Sequence, residues 1–99
     1  LMSLGAKGVI SVLSNVMPKE THDMCQYCLD NNFAEAQKLQ IGLLELINNL
    51  FIDVNPIPVK EAMNLCGMNA GVLRMPLMEM TDANKETLKA SLRKVGLVK

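Results

Sequence analysis

The chain has 99 residues, 49% of them hydrophobic and only 3% aromatic, and its ten lysines and arginines balance ten aspartates and glutamates. With no basic run to track a phosphate backbone and no aromatic platform for stacked bases, nucleic acid is excluded as an expected partner. The composition is that of one globular domain, or of a piece of one. Three cysteines, an odd number, do not make a self-contained disulfide framework, which points to a reducing cytoplasm. The longest apolar pattern, 33–51, is broken by Glu35, Lys38, Gln40 and Glu45, so it does not read as a membrane span. Lys7 interrupts what would be the apolar region of a signal peptide, and no membrane association is expected.

Residues 1–4 have the pattern of a helix's last turn, with Gly5 as a left-handed cap and no start signal ahead of them. Val9-Ile10-Ser11-Val12-Leu13 is rich in β-branched residues and follows Gly5 and Gly8, which predicts a short strand at 9–13. The run is apolar rather than alternating, so both faces of that strand are expected to be covered, as in a parallel sheet. No second convincing strand follows, and the rest of the sheet is expected to lie elsewhere. Ser14 and Asn15 are capping residues and Pro18 suits a first helical turn, predicting a helix over 18–30. Met24, Cys25, Cys28 and Leu29 form its apolar side, and Asn31-Asn32 ends it.

The next helix is predicted over 33–52, about 30 Å long at ~1.5 Å per residue. Ala36, Leu39, Leu43, Leu46, Ile47 and Leu50 follow the spacing of a buried stripe, while Ile41, Leu44 and Phe51 widen it toward a second contact. Gly42 costs about 1 kcal/mol relative to alanine, which implies a close neighbour or simple tolerance. Asn55-Pro56-Ile57-Pro58-Val59-Lys60 then stops the helix, because each proline ring clashes with a helical conformation at the residue before it. Asn55 and Ile57 are therefore expected to be extended, with Pro58 opening a short helix over 59–66 that Gly67 ends. The stretch 69–80 is predicted irregular, with Arg74-Met75-Pro76-Leu77 extended across a surface. Thr81-Asp82-Ala83-Asn84 caps a last helix over 83–95, whose face is Leu88, Leu92 and Val95 and whose stop is Gly96. Arg93 and Lys94 sit where that helix's dipole favours cations.

Some residue types invite a chemical reading. Cys25-Gln26-Tyr27-Cys28 has CxxC spacing, but it lies inside a predicted amphipathic helix with no second pair after it. Zinc wants four ligands and a redox pair sits at a helix start, so core packing is the expectation. His22 is a lone histidine in a first turn and is expected to be solvated; no metal site is expected. Lys60 opens a helix beside Glu61 and reads as a surface or salt-bridging residue rather than a nucleophile. The eight methionines read as core filler, although those near 68–80 could be exposed.

Gly8-Val9-Ile10-Ser11-Val12, Asn55-Pro56-Ile57-Pro58-Val59-Lys60 and Leu73-Arg74-Met75-Pro76-Leu77, in that order and spacing, resemble the C-terminal third of the dihydrodipicolinate synthase family. The resemblance covers essentially the whole chain. The strand pattern is shared with sister lyases such as N-acetylneuraminate lyase, whereas the proline corner is more typical of the synthases. It implies a mostly α chain within a parent α/β enzyme. Residues 1–32 would be the last strand-helix unit of a (β/α)₈ TIM barrel, and 33–99 the C-terminal helical extension. The parent would be a homo-oligomeric Schiff-base lyase that condenses pyruvate with aspartate semialdehyde in lysine and diaminopimelate biosynthesis, with no cofactor.

The family's reaction uses a strand lysine that condenses with pyruvate, a tyrosine that shuttles protons and a threonine that relays to it. The family places all three before the matched region, together with an arginine for the second substrate's carboxylate. No catalytic residue is therefore carried over, and the chain alone is expected to be inactive. One substrate-binding position does match: Ile10 corresponds to the strand-eight isoleucine that forms an apolar wall beside the pyruvate-derived imine. Lys7 would lie at the opposite end of the barrel, and Tyr27, on the helix after the strand, does not match the proton-relay tyrosine. Asn15 and Asn55 match family positions without a catalytic step. From the residues alone, a stand-alone helical interaction or oligomerisation module without enzymatic activity is the alternative.

Overall fold

The computed structural model describes residues 1–99 and is mostly α, with five α-helices, two turns of 3₁₀ helix and no β-strand. The chain divides into two compact units, Leu1–Leu44 and Glu45–Lys99. In the first, the 3₁₀ turn Met2–Leu4 is closed by Gly5 at φ 103°, the left-handed cap expected there.

The strand expected at 9–13 does not form. A strand is held by partner N–H and C=O groups, and this chain offers no second strand to supply them. Residues 6–11 are irregular instead, and Val9 and Ile10 are exposed. Leu13 turns inward, opens the 3₁₀ turn Leu13–Asn15 and accepts the Met17 N–H at 2.9 Å.

Helix α1, Pro18–Leu29, starts with its proline where a missing N–H costs nothing. The buried Thr21 hydroxyl donates to the Met17 carbonyl at 2.9 Å. Its end is a Schellman motif with Asn31 at φ 58°: Asn31 N–H donates to the Cys28 carbonyl at 3.1 Å and Asn32 N–H to the Tyr27 carbonyl at 2.7 Å. Leu29, expected on the apolar side, is exposed. The covered face runs from Thr21 through Met24 and Cys25 to Cys28, and Leu29, the last residue of the helix, lies beyond that cover.

The Asn32 side chain accepts the Glu35 N–H and caps α2, Phe33–Gly42, which packs against α1. The long helix expected over 33–52 is in fact two, α2 and α3, Leu44–Asn49. Leu43 between them has φ −102° and ψ 0° but still donates to the Leu39 carbonyl at 3.0 Å, so the interruption is local. A Cβ at Gly42 would meet nothing within 4 Å, so no close neighbour demands this glycine; its weak helix propensity falls where the helix breaks. The expected stripe is covered, with Ala36, Leu43, Leu46 and Leu50 buried and Leu39 and Ile47 half-buried. Ile41, Leu44 and Phe51, expected to widen it, are exposed.

In the second unit the proline corner is a turn in which the Val54 carbonyl accepts the Ile57 N–H at 2.8 Å, and the Asn55–Pro56 peptide bond is cis. Helix α4 runs Ile57–Leu65, beginning two residues earlier than expected, so Ile57 is helical rather than extended. The bias of a residue before proline is a preference, and here burial outweighs it: Ile57, Pro58, Val59 and Ala62 are all buried, at ~1.5–3 kcal/mol for each large apolar side chain. Gly67 at φ 82° closes the helix, donating to the Asn64 carbonyl at 3.0 Å while Met68 N–H reaches the Met63 carbonyl at 2.9 Å.

Arg74-Met75-Pro76-Leu77 is not extended. It is a turn closed by Leu77 N–H on the Arg74 carbonyl at 3.0 Å, with a cis Met75–Pro76 bond. The reversal gives Leu73 and Leu77 partial cover and leaves Met75 exposed. Helix α5, Asp82–Lys94, lies one residue from its expected bounds and packs against α4. Thr81 Oγ1 accepts the Asn84 N–H at 3.3 Å, and Gly96 at φ 78° completes a third Schellman end through Leu97 N–H on the Leu92 carbonyl. Leu88, Ser91 and Leu92 are buried; the Ser91 hydroxyl accepts from Asn49 Nδ2 at 3.1 Å and donates to the Leu88 carbonyl at 2.9 Å.

Candidate functional site

Ile10 stands at the tip of the irregular stretch between Gly5 and Leu13 with its side chain in solvent. Asn15, at the end of the second 3₁₀ turn, donates Nδ2–H to the Val12 carbonyl at 3.0 Å and so braces the exit of that stretch. Lys7 is exposed on its approach. Tyr27 is half-buried on α1, three positions from Met24, and its backbone carbonyl is taken up by the helix end. Asn55 belongs to the second unit, in the turn ahead of α4.

The cysteines are free thiols, all half-buried rather than packed away in the core. Cys25 and Cys28 are one turn apart on α1, and His22 on the same helix is exposed. No group of three or more His, Cys, Asp or Glu side chains converges on a point that could hold a metal ion. Burial pushes the Cys66 thiol above its ordinary value of 9.0, because the thiolate would lose hydration there.

Lys60, expected at the surface or in an ion pair, uses its ammonium differently: Nζ donates to the Val72 carbonyl at 2.8 Å. One turn further along α4, the Asn64 side chain accepts the Ala70 N–H at 2.7 Å and donates to the Gly71 carbonyl at 3.0 Å. Together they fasten residues 70–72 to α4. Between that segment and the helix is a cavity of about 190 Å³, whose wall includes Lys60, Glu61, Asn64, Val72, Leu77 and Met80. At its side the Lys85 ammonium lies 3.3 Å from Glu79; that hydrogen bond, with the charge of Glu61, raises the lysine's pKa. The clamp is invisible in the sequence, because an asparagine inside a helix reads as a weak helix former until the loop it grips is in place.

The groups around this cavity hold a loop; they do not pair a nucleophile with a base, and Ile10 contributes only an apolar surface. No helix is long and apolar enough to cross a membrane.

The model of the dihydrodipicolinate synthetase family matches residues 1–95, and the chain belongs to that family. It is 53% identical over 98 residues to the 4-hydroxy-tetrahydrodipicolinate synthase of Acetivibrio thermocellus, covering 99% of this chain and 34% of that protein. The crystal structure of the dihydrodipicolinate synthase from Aquifex aeolicus superposes with a TM-score of 0.94 at 44% identity, over 97% of this chain and 33% of that one. The chloride-inhibited synthase from Acinetobacter baumannii, solved in complex with pyruvate, gives a TM-score of 0.94 at 35% identity, over 99% of this chain and 34% of that one. The chain thus spans about a third of the length of the relatives it matches.

Proposed function

We propose that the chain is the C-terminal third of a 4-hydroxy-tetrahydrodipicolinate synthase, a cytoplasmic Schiff-base lyase that condenses pyruvate with aspartate semialdehyde. The observation that carries this reading is the 53% identity over 98 residues to a protein of that name. Residues 1–32 are the last strand-helix unit of the parent's barrel and 33–99 its helical extension, and the parent assembles as a homo-oligomer. Ile10 is the chain's contribution to the substrate site, an apolar wall that keeps water from the pyruvate-derived imine. Its exposure in the isolated chain fits a residue whose neighbours belong to the rest of the parent.

The chain by itself forms no imine, because the resemblance places the condensing lysine outside the matched region. A lysine amine attacks a carbonyl only when desolvation or a neighbouring cation keeps it neutral. Lys60 instead holds a loop, its Nζ donating to the Val72 carbonyl at 2.8 Å. Incubation with pyruvate and borohydride should leave the intact mass unchanged; a stoichiometric reduced adduct on any lysine would overturn the reading.

A further inference from the structure

The CxxC pair on α1 has no part in the function proposed above. Cys25 and Cys28 are both free thiols and both half-buried, so neither is sealed in the core. They stand three positions apart on the helix Pro18–Leu29, which sets their Cα atoms about 5 Å apart and their Cβ atoms about 5–6 Å apart, on one face. Cys66 has no such neighbour, being the one cysteine of the second unit, Glu45–Lys99.

Two neighbouring thiols are joined either directly, as a disulfide, or through an atom held between them, and the span decides which. A disulfide draws its Cβ atoms to about 3.5–4.5 Å, roughly 1 Å closer than an intact helix puts them. Closing that gap means unwinding the last turn, and the last turn is pinned. The Cys28 carbonyl accepts the Asn31 N–H at 3.1 Å, and the Tyr27 carbonyl accepts the Asn32 N–H at 2.7 Å. An atom between the sulfurs lengthens the bridge by one bond and leaves the turn as it is. That atom must be soft, to suit thiolates, and must be satisfied by two protein ligands. No third His, Cys, Asp or Glu converges on the pair, and His22 is exposed on the same helix, which rules out a closed four-ligand zinc site. A trivalent arsenic that already carries one organic group has two positions left, the number of thiols present.

Independently of the lyase reading, we propose that Cys25 and Cys28 form a dithiol site for a monosubstituted trivalent arsenical. The step is a condensation with no change of oxidation state. Two As–S bonds replace the As=O bond of R–As=O and the two S–H bonds, and the oxygen leaves as water with both thiol protons. Because the second As–S bond closes within one chain, the pair outbinds a single thiol by about a hundredfold or more.

The test mixes the 99-residue chain, reduced with a phosphine, with phenylarsine oxide in excess glutathione, and reads intact mass and circular dichroism. One phenylarsenic group per chain should bind with the helical signal unchanged, and a small dithiol should remove it. Cys25→Ser or Cys28→Ser alone should weaken binding by about a hundredfold or more, whereas Cys66→Ser should leave it unchanged. Tyr27→Cys/Cys28→Ser keeps the number of thiols but sets the α1 pair ~200° apart around the helix, and should bind no better than Cys28→Ser. Where a variant does not fold, the unaltered chain still decides: the bound arsenical should shield Cys25 and Cys28, and not Cys66, from iodoacetamide.

Absence of the adduct or shielding of Cys66 would overturn the proposal. So would full-strength binding after loss of either α1 cysteine, equal binding by Tyr27→Cys/Cys28→Ser, or a fall in helical signal on binding. Borohydride trapping with pyruvate reads lysines rather than thiols, so the lyase reading and the dithiol site stand or fall separately.

Discussion

The first ten residues and helix α5 carry the same kind of side chain to opposite fates. Leu1, Leu4, Val9 and Ile10 are exposed, whereas Leu88 and Leu92 have no exposed surface at all. Hydrophobicity does not distinguish them; supply of partners does. Helix α5 satisfies its backbone internally and needs only a neighbour for one face, which α4 provides. An extended segment must find hydrogen-bond partners outside itself before its side chains can be covered, and within this chain there are none. A helix can therefore complete its local structure within a third of a fold, and a buried strand cannot.

The sharpest break in that contrast would come from Leu92→Ala. It opens a cavity in the covered face of α5 and should cost about 2–5 kcal/mol in chemical denaturation, a large share of what a domain of this size possesses. A cost below ~1 kcal/mol would mean that the α4–α5 packing is not what holds the second unit. Gly67→Ala should cost ~1 kcal/mol. A Cβ there meets nothing within 4 Å, so the penalty is purely that of holding alanine at φ 82°. Gly42→Ala, with the same open surroundings inside a helix and no positive φ, should be neutral or stabilising, and the pair of midpoints checks the distinction.

A smaller effect concerns Cys66. Because burial raises its pKa, the folded state keeps a proton that the unfolded state has already lost, so stability falls as pH rises from 9.0 through the raised value. In a Cys25→Ser/Cys28→Ser background, denaturation midpoints should drift down over that window, and Cys66→Ser should remove the drift. The smallest effect is expected at Ile10. In the isolated chain Ile10→Asp should change stability by less than about 0.5 kcal/mol, since the side chain touches nothing it could lose. A larger loss would show that residues 9–13 are packed in solution, and the comparison between the two regions would collapse.

Much of the helical half of the molecule was legible from residue types. Pro18, Asn31-Asn32, Thr81 and the glycines at 5, 67 and 96 mark ends that the structure places within a residue or so. They are legible because a cap or a left-handed residue acts over one turn, and that turn is contained in the sequence window being read. The break at Leu43 was not, because Leu39 to Leu50 keep an unbroken three-and-four spacing across it. Nor was the helical Ile57, whose local bias is set aside by burial of its neighbours. Of the candidate site, Ile10 was visible only through resemblance, and the Lys60–Asn64 clamp not at all, since both ends of each contact must be placed before it exists.

The sequence by itself determined where helices begin and end, which stripe of each is apolar, and, through three short motifs, the family. Those are properties of contiguous residues or of their order along the chain. Only the tertiary structure decided that residues 9–13 do not make a strand, that Arg74–Leu77 turn back, and that Lys60 grips a loop. Each of these depends on whether a partner far along the chain is present to complete a hydrogen bond or cover a side chain. For residues 9–13 it is absent from these 99 residues.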